Sequence, residues 1–543
     1  VVVIPDAETE VVNRAGDHSI RGGSLAQKCY NPETATADRL QSPMMRINGE
    51  LVPVSWDQAL DTVAKVSRHV IDTHGEHAWA MKMFSYQFFE NTYALTKLAL
   101  RHVETPAFAF HDNPSTAEDT PGFRDTGFDN FAASYEDWSL ADTLLISGTD
   151  PFETKTIIWN EWIMKGIQRG MKVIFVLPRK TTGVVYAEKH GGLHLQLVPG
   201  TDTILQLAIS RVIVENGWED ASWIQRYTSN KWESDSGFGQ GTRNTPWQWR
   251  TTWGQFQTKG FEDYKSWILA NEDAEIHNAE RVTGVPAADI IRAAEMMAKP
   301  RFDGSRTKTS IGIEKGNYWS NNYLNTASMG ALALLCGTGN RPGQMISRFG
   351  GHQRGGIKGG RYPLEKSPEK FAGRRRRPLD LDRWIEAGHV RFAWAVGTTW
   401  LGSMTASQGL MNTFHRLTRG SVHQIQSAET AADDLIRRAE AGEMVVVNQD
   451  IYLRHPIGSE YADIIFPAAT WGEDNFSRAN GERRIRLYSR FYDPPGEAKP
   501  DWWIAAQVGK RMGYPGFDWT ESNDVFEEAA RFTRGSRKDY MPL

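Results

Sequence analysis

Cysteine is nearly missing: Cys29 and Cys336 are the two in a chain of 543 residues. Neither stands in a CxxC-type spacing, so these residues alone build no zinc or iron–sulfur site. Cys336 closes the apolar run Ala331-Leu332-Ala333-Leu334-Leu335 and reads as a buried core thiol. Long hydrophobic runs are also lacking. None reaches the roughly 20 residues that cross a bilayer, so no transmembrane segment is predicted. There is little excess charge: 62 Lys+Arg against 66 Asp+Glu leaves a formal net charge of −4, which gives no reason to expect nucleic acid as a partner. The strong basic cluster, Arg374-Arg375-Arg376-Arg377, reads as a solvated loop. No segment reads as an export signal. The chain opens without Met on Val1-Val2-Val3-Ile4, and we expect the natural protein to extend beyond it, so its compartment is not read from this end.

What is there is the composition of a large globular enzyme, 40% hydrophobic and 24% charged. A strand-end phrase occurs twice. Leu144-Leu145-Ile146-Ser147 runs into Gly148-Thr149-Asp150-Pro151, and Phe392-Ala393-Trp394-Ala395-Val396 into Gly397-Thr398-Thr399-Trp400. In each, a hydrophobic run stops at Gly, small hydrogen-bonding residues follow, and a helical pattern comes next. Such a junction lets backbone approach a ligand and puts a helix N-terminus near an anion such as a diphosphate. The pair suggests two nucleotide-like groups, or two halves of one large cofactor. Ordinary strand-to-helix turns are the plain alternative for either copy alone.

Between residues 1 and 60, short strands and loops are predicted, with a hairpin signal at Asn48-Gly49 and a helix capped by Ser55. From about 136 the pattern becomes doubly wound: strand 143–147, helix 156–169, strand 172–177 ending at Pro178-Arg179, and strand 193–198 ending at Pro199-Gly200-Thr201-Asp202. This order puts all three polar phrases on the carboxyl edge of one parallel sheet. Residues 228–260 have no period and read as an inserted surface loop. Gly237-Phe238-Gly239-Gln240-Gly241 within it lacks the flanking strand and helix of a dinucleotide motif, which argues against a nicotinamide dehydrogenase. A second set follows near 380: strand 390–396, strand 421–425, helix 428–441, strand 443–448 ending at Asn448-Gln449-Asp450, and Ile464-Ile465-Phe466-Pro467.

Further phrases fall in a familiar order: Glu314-Lys315-Gly316, Cys336-Gly337-Thr338-Gly339-Asn340-Arg341-Pro342-Gly343, Ala462-Asp463-Ile464-Ile465-Phe466-Pro467 and Gly496-Glu497-Ala498-Lys499-Pro500-Asp501-Trp502. With those above, the chain resembles the large subunit of molybdenum bis-pterin guanine dinucleotide oxidoreductases, the dimethyl sulfoxide reductase superfamily. Ser85-Tyr86-Gln87-Phe88-Phe89-Glu90-Asn91-Thr92-Tyr93, Arg348-Phe349-Gly350-Gly351-His352-Gln353 and Asn480-Gly481-Glu482-Arg483-Arg484 place it near the arsenite oxidase large subunit and its iodate reductase relatives. Ser19 stands where most superfamily members have a fourth cluster cysteine and the arsenite oxidase branch has serine with a three-iron cluster.

The resemblance implies a multidomain α/β fold, with two doubly wound nucleotide-binding domains around a bis-pterin cofactor. It would have an N-terminal iron–sulfur remnant over 1–60, a first cofactor-binding domain from 61–135 and 380–520, a second from 136–379, and a linker over 521–543. The first three cluster cysteines would precede Val1, and a C-terminal β domain would follow Leu543, both truncated from this chain. The implied cofactors are molybdenum bis(molybdopterin guanine dinucleotide) and a [3Fe-4S] cluster whose cysteine ligands lie outside this chain. Gly148, Thr149, Asp150, Glu153, Pro178, Arg179, Gly200, Asp202, Lys315, Gly316, Gly351, Gly397, Thr398, Thr399, Asn448 and Asp450 would bind the cofactor. Asp202 and Asn448 or Asp450 suit guanine N–H groups, and Arg179 suits phosphate. Asp202 reads equally simply as a helix N-cap. Arg21 falls where a basic residue often lies between cluster and pterin, and also reads as a plain loop arginine.

Arg348, His352, Gly122 and Arg124 would form the catalytic pocket, with a guanidinium and an imidazole suited to an oxyanion. Pro121 falls at the branch's pocket histidine, Gly122 beneath the metal and Asn130 near the pocket glutamate. No protein ligand to molybdenum is therefore expected. These changes put arsenite oxidation in doubt and favour oxygen-atom transfer on iodate, with arsenite as the alternative. A molybdenum-free iron–sulfur scaffold subunit is a further alternative. By resemblance the partners would be a small Rieske-type iron–sulfur subunit and a periplasmic cytochrome, and the location periplasmic.

Overall fold

The computed structural model describes residues 4, 13–14, 16–24 and 38–534, apart from 85–86, 111–112, 115–119, 130–132, 230–246, 248, 250–259, 340, 350–356, 372–374, 404–406, 419–423, 454 and 480–483. In chain order the strands are β1 (Met44–Ile47), β2 (Glu50–Pro53), β3 (Trp79–Met83), β4 (Phe108–Phe110), β5 (Asn113–Pro114), β6 (Thr143–Ser147), β7 (Lys172–Val176), β8 (Leu193–Leu195) and β9 (Thr309–Ile313). They continue with β10 (Ile346–Arg348), β11 (Lys370–Phe371), β12 (Arg375–Arg376), β13 (Phe392–Val396), β14 (Val445–Asp450), β15 (Ile464–Pro467), β16 (Phe476–Ala479) and β17 (Ile485–Tyr488).

Two open α/β sheets carry the structure. The five-stranded sheet has the order β10-β9-β6-β7-β8, and all its neighbours are parallel. The eight-stranded sheet has the order β2-β1-β15-β14-β13-β3-β4-β5, parallel from β15 to β4. In the first, the chain winds outward from β6 through β7 and β8, then returns to β6's other side for β9 and β10. In the second it goes from β3 to β4, then crosses to the far side of β3 for β13, β14 and β15. Each sheet therefore has a topological switch point, between β6 and β9 and between β3 and β13. There the loops leave in opposite directions and open a crevice. Both strand-end phrases lie at these points.

Parallel strands covered on both faces must be apolar throughout. Every residue of β3, β6, β9 and β13 is buried. The pleat sorts their side chains. Trp394, Val396, Val447 and Phe466 fill one side of the large sheet, and Ala393, Ala395, Val446 and Ile465 the other. The β1–β2 hairpin turns at Asn48 (φ 48°) and Gly49 (φ 89°), the two positive angles of a type I′ turn. Ser55 caps helix Trp56–His74 in a reciprocal capping box with Gln58.

The helix expected over 156–169 is present over 156–168 and widens to π-type hydrogen bonding at Trp159–Ile163. Two other expectations are corrected. The stretch 228–260 is not simply a surface loop: Trp247 and Trp249 are buried and stack on Trp223 at 5.0 Å and on Tyr264 at 4.8 Å. The strand expected at 421–425 lies largely outside the described residues; Ile425 forms a single bridge with Ile47.

Two buried carboxyls tie elements together: Glu90 links helix Phe89–Thr96 to β16, and Asp501 links helix Asp501–Arg511 to β14 of the large sheet. Glu90 accepts from the Ser477 amide at 3.0 Å and hydroxyl at 2.6 Å. Asp501 accepts from Gln449 at 2.6 Å and Asn91 at 3.1 Å. Burial pushes both up to about 7, from ordinary values of 4.5 and 3.8. The folded state thus holds protons that the unfolded chain has released. The stability this gives is complete below the unfolded values and is lost as pH rises through about 7. The thermal midpoints of Glu90→Gln and Asp501→Asn should therefore fall less between pH 5 and pH 8 than that of the parent. Parallel pH slopes would show that neither group is held protonated.

Candidate functional site

A cavity of about 930 Å³ opens at the β6/β9 switch point. Its wall contains Gly148, Thr149, Asp150, Glu153, Pro178, Arg179, Gly200, Asp202, Lys315 and Gly316. These come from the loops after β6, β7, β8 and β9, so residues far apart in sequence meet because four parallel strands end on one edge. Sequence reasoning missed Lys155, Glu314 and Arg478 as members of the same wall. Glu314 was visible in the phrase Glu314-Lys315-Gly316. Lys155 lies two residues beyond Glu153. Arg478 comes from β16, and nothing local marks it.

The roles divide by geometry. Gly148 (φ 75°) faces the loop after β9: a Cβ there would lie 2.1 Å from the Asn317 amide nitrogen. Gly316 donates its amide to the Gly148 carbonyl at 3.0 Å. The glycine is thus required first by protein packing. At Gly200 (φ 89°) no described residue lies within 4 Å of an added Cβ, and the backbone borders open cleft. The Asp150 carboxylate is used structurally: it accepts the Phe152 amide at 2.9 Å and the Gly183 amide at 3.1 Å. Glu153 and Arg179 pair at 2.9 Å near the surface.

Asp202 is the first residue of helix Asp202–Glu215, behind Thr201, and so is not its N-cap. Its carboxyl is buried in the cleft wall, and burial pushes it up to about 6 while its own amide and Asn317 pull the other way. A buried acceptor of this kind matches paired N–H donors on a ligand.

Of the residues expected to be catalytic, Arg348 and Gly122 have described surroundings. Arg348 ends β10 and is 2% exposed. Its Nε donates to Glu314 Oε1 at 3.1 Å, and its guanidinium lies 4.7 Å from the Tyr318 ring centroid. The guanidinium is thus paired within the cleft wall rather than standing open as the oxyanion receptor. Gly122 is buried against helix Asn322–Leu335, where a Cβ would lie 2.2 Å from the Ala327 amide nitrogen. Helix packing requires glycine here, so its missing side chain says nothing about metal ligation. Pro121 opens helix Pro121–Thr126, where proline's fixed φ is favourable. His352, Gly351 and Asn130 lie outside the described residues, as do the side chains of Arg124 and Arg21.

Gly397, Thr398, Thr399, Asn448 and Asp450 lie at the carboxyl edge of the large sheet and are not part of the 930 Å³ cleft. Gly397 (φ 55°) donates to the Gln449 carbonyl at 2.9 Å. Trp400 just beyond has φ 30°, a strained angle for this residue. Asp382, which accepts the Trp400 indole N–H at 2.9 Å, holds it there. Asn448 Oδ1 is buried without a hydrogen-bond partner among the described residues, and burial raises Asp450. At the N-terminal end, the Ser19 hydroxyl accepts the Gly22 amide at 3.1 Å. Cys336 is buried, its thiol pushed up to about 12; Cys29 lies outside the described residues.

Two doubly wound sheets with their switch points, one of them opening into a cleft, define the class of α/β proteins suited to a large nucleotide-containing cofactor. Residues 39–511 match the family model for molybdopterin oxidoreductase, and residues 1–36 one described as Rieske 3Fe-4S. The chain belongs to the molybdopterin oxidoreductase family. It is 54% identical over 549 residues to iodate reductase subunit IdrA of Denitromonas iodatirespirans, covering 100% of this chain and 61% of that protein. The IdrA subunit of Pseudomonas sp. (strain SCT) is 52% identical with the same coverage. Arsenite oxidase subunit AioA of Herminiimonas arsenicoxydans is 29% identical, covering 98% of this chain and 63% of that one. Acetylene hydratase from Pelobacter acetylenicus shares the fold, with TM-score 0.63 and 15% identity over 97% of this chain and 68% of that one. The chain spans about three-fifths of the length of the iodate reductase subunits it matches.

The family implies a molybdenum–pterin cofactor, and the residues fit one: an open cradle at Gly200, a buried acceptor at Asp202 and cations around the cleft. Arg348 pairs with Glu314, a residue of that wall. Breaking a buried pair from one side strands a charge and costs about 3–5 kcal/mol. Arg348→Ala should therefore lower the thermal midpoint, and Glu314→Gln in the same chain should recover part of the loss. A midpoint unchanged in Arg348→Ala would show that the pair bears no load.

Proposed function

We propose that the protein containing this chain reduces iodate by oxygen-atom transfer, with a molybdenum bis(molybdopterin guanine dinucleotide) cofactor spanning both switch points. The observation that carries this reading is the 54% identity to an iodate reductase subunit along the whole chain. When bound, the cofactor supplies the metal that accepts an oxygen atom and the pterins that carry electrons. This chain's residues bind and orient it. Asp202 accepts hydrogen bonds from one guanine, and Gly200 borders that arm. Asn448 and Asp450 serve the second arm, with Gly397, Thr398 and Thr399 at its diphosphate.

Arg348 supports this site through Glu314, and the cationic character expected for the substrate pocket is reduced by that pairing. Preference for iodate therefore rests on the relatives and on Pro121, which offers no imidazole. Arsenite oxidation is the second reading, supported by 29% identity to AioA. We further propose a [3Fe-4S] cluster at the N-terminal segment, where residues 1–36 match the Rieske 3Fe-4S model. A small Rieske-type subunit, a periplasmic cytochrome and a periplasmic location complete the reading.

The test uses the full-length protein with its partner subunit, assayed with a reduced viologen and iodate, and separately with an oxidised dye and arsenite. Iodate reduction far above arsenite oxidation is expected. Robust arsenite turnover without iodate turnover overturns the assignment.

A further inference from the structure

We infer that Lys155 is the cation that holds a phosphate group of the cofactor in the 930 Å³ cleft, and that it governs cofactor retention. This rests on the reading that the cleft takes a guanosine diphosphate arm.

Lys155 stands where helix Pro151–Thr154 stops and helix Thr156–Ile158 starts, with φ −145° and ψ 57°. It lines the cleft together with Gly148 and Glu314, and Glu314 is the acid that acts on its charge. The other cations of the wall, and Arg348, which pairs with the wall residue Glu314, already have contacts inside the protein. Arg179 donates to Glu153 at 2.9 Å, and Arg348 to Glu314 at 3.1 Å. Lys315 lies 4.9 Å from the centre of the Trp319 ring, and Arg478 5.3 Å from that of Phe88. The Lys155 ammonium makes no hydrogen bond or ion pair with any described residue.

Its surroundings disfavour that charge. Burial lowers the Lys155 pKa, Arg348 and Lys315 push the same way, and Glu314, already engaged by Arg348, is the opposing acid. A partly buried ammonium with three donors and no acceptor is an unfilled position. An anion with several oxygens fills it, and a phosphate ester brings the negative charge that this end of the cleft lacks. Asp202 is suited to N–H donors and Lys155 to phosphate oxygens, so the two give the cleft a base end and a phosphate end.

The test compares parent, Lys155→Met, Lys155→Arg and the surface control Lys299→Met in the full-length protein with its partner. Molybdenum per chain and GMP released by acid hydrolysis are measured, together with the rate of their loss on warming in low and high salt. Lys155→Met should lose cofactor roughly ten- to hundredfold faster, as expected for one charge-assisted contact. Lys155→Arg should lie between, and Lys299→Met should match the parent. Should Lys155→Met fail to accumulate as folded protein, Lys155→Gln replaces it, with the same expectation. Loss rates equal to the parent's in either neutral variant overturn the inference. A parent without molybdenum or GMP would instead overturn the cofactor reading of the cleft.

Discussion

Two glycines that touch hold the cleft in shape. Gly148 leaves β6 and Gly316 follows β9, and these strands are neighbours that the chain reaches from opposite directions. The amide of Gly316 bonds the carbonyl of Gly148, and a Cβ on Gly316 would lie 2.8 Å from that same oxygen. With side chains at either position the loops would part, and Glu314 and Lys315 would leave the wall they share with Asp150 and Asp202. The crevice exists because the sheet reverses its winding here; its walls are close because these two residues have no side chains.

The electrostatics of the wall follow from that closeness. Bringing four loop ends together concentrates charge, and most of it is neutralised within the protein: Arg179 by Glu153, Arg348 by Glu314, and Asp150 by backbone amides. Asp202 remains as a buried acceptor and Lys155 as a partly buried donor, while Lys315 and Arg478 lie against aromatic rings.

Much of the architecture could be read locally. β6 and β15 appear at their predicted ends, and β13 within two residues, because parallel strands buried on both faces need continuous apolar runs. The Asn48-Gly49 turn and the Ser55 cap depend on a few adjacent residues. The wide turn at Trp159–Ile163 was not legible, since its apolar residues keep a helical spacing while the hydrogen bonding changes. Nor was the anchoring of Trp247 and Trp249, whose partners Trp223 and Tyr264 belong to helices on either side of the aperiodic stretch.

For the site, the sequence by itself determined which loops would carry it: glycine and small polar residues after hydrophobic runs mark strand ends, and parallel order puts those ends on one edge. Tertiary structure decided what each side chain does there. Arg348 meets Glu314, 34 positions away, because β10 lies beside β9. Gly122 meets Ala327 because two helices cross at that point. Arg478 reaches the cleft from the separate β16–β17 hairpin. Strand ends are chosen by hydrogen-bond geometry and burial within a few residues. Charge pairing and close helix contact depend on distances in space, which a local pattern does not contain.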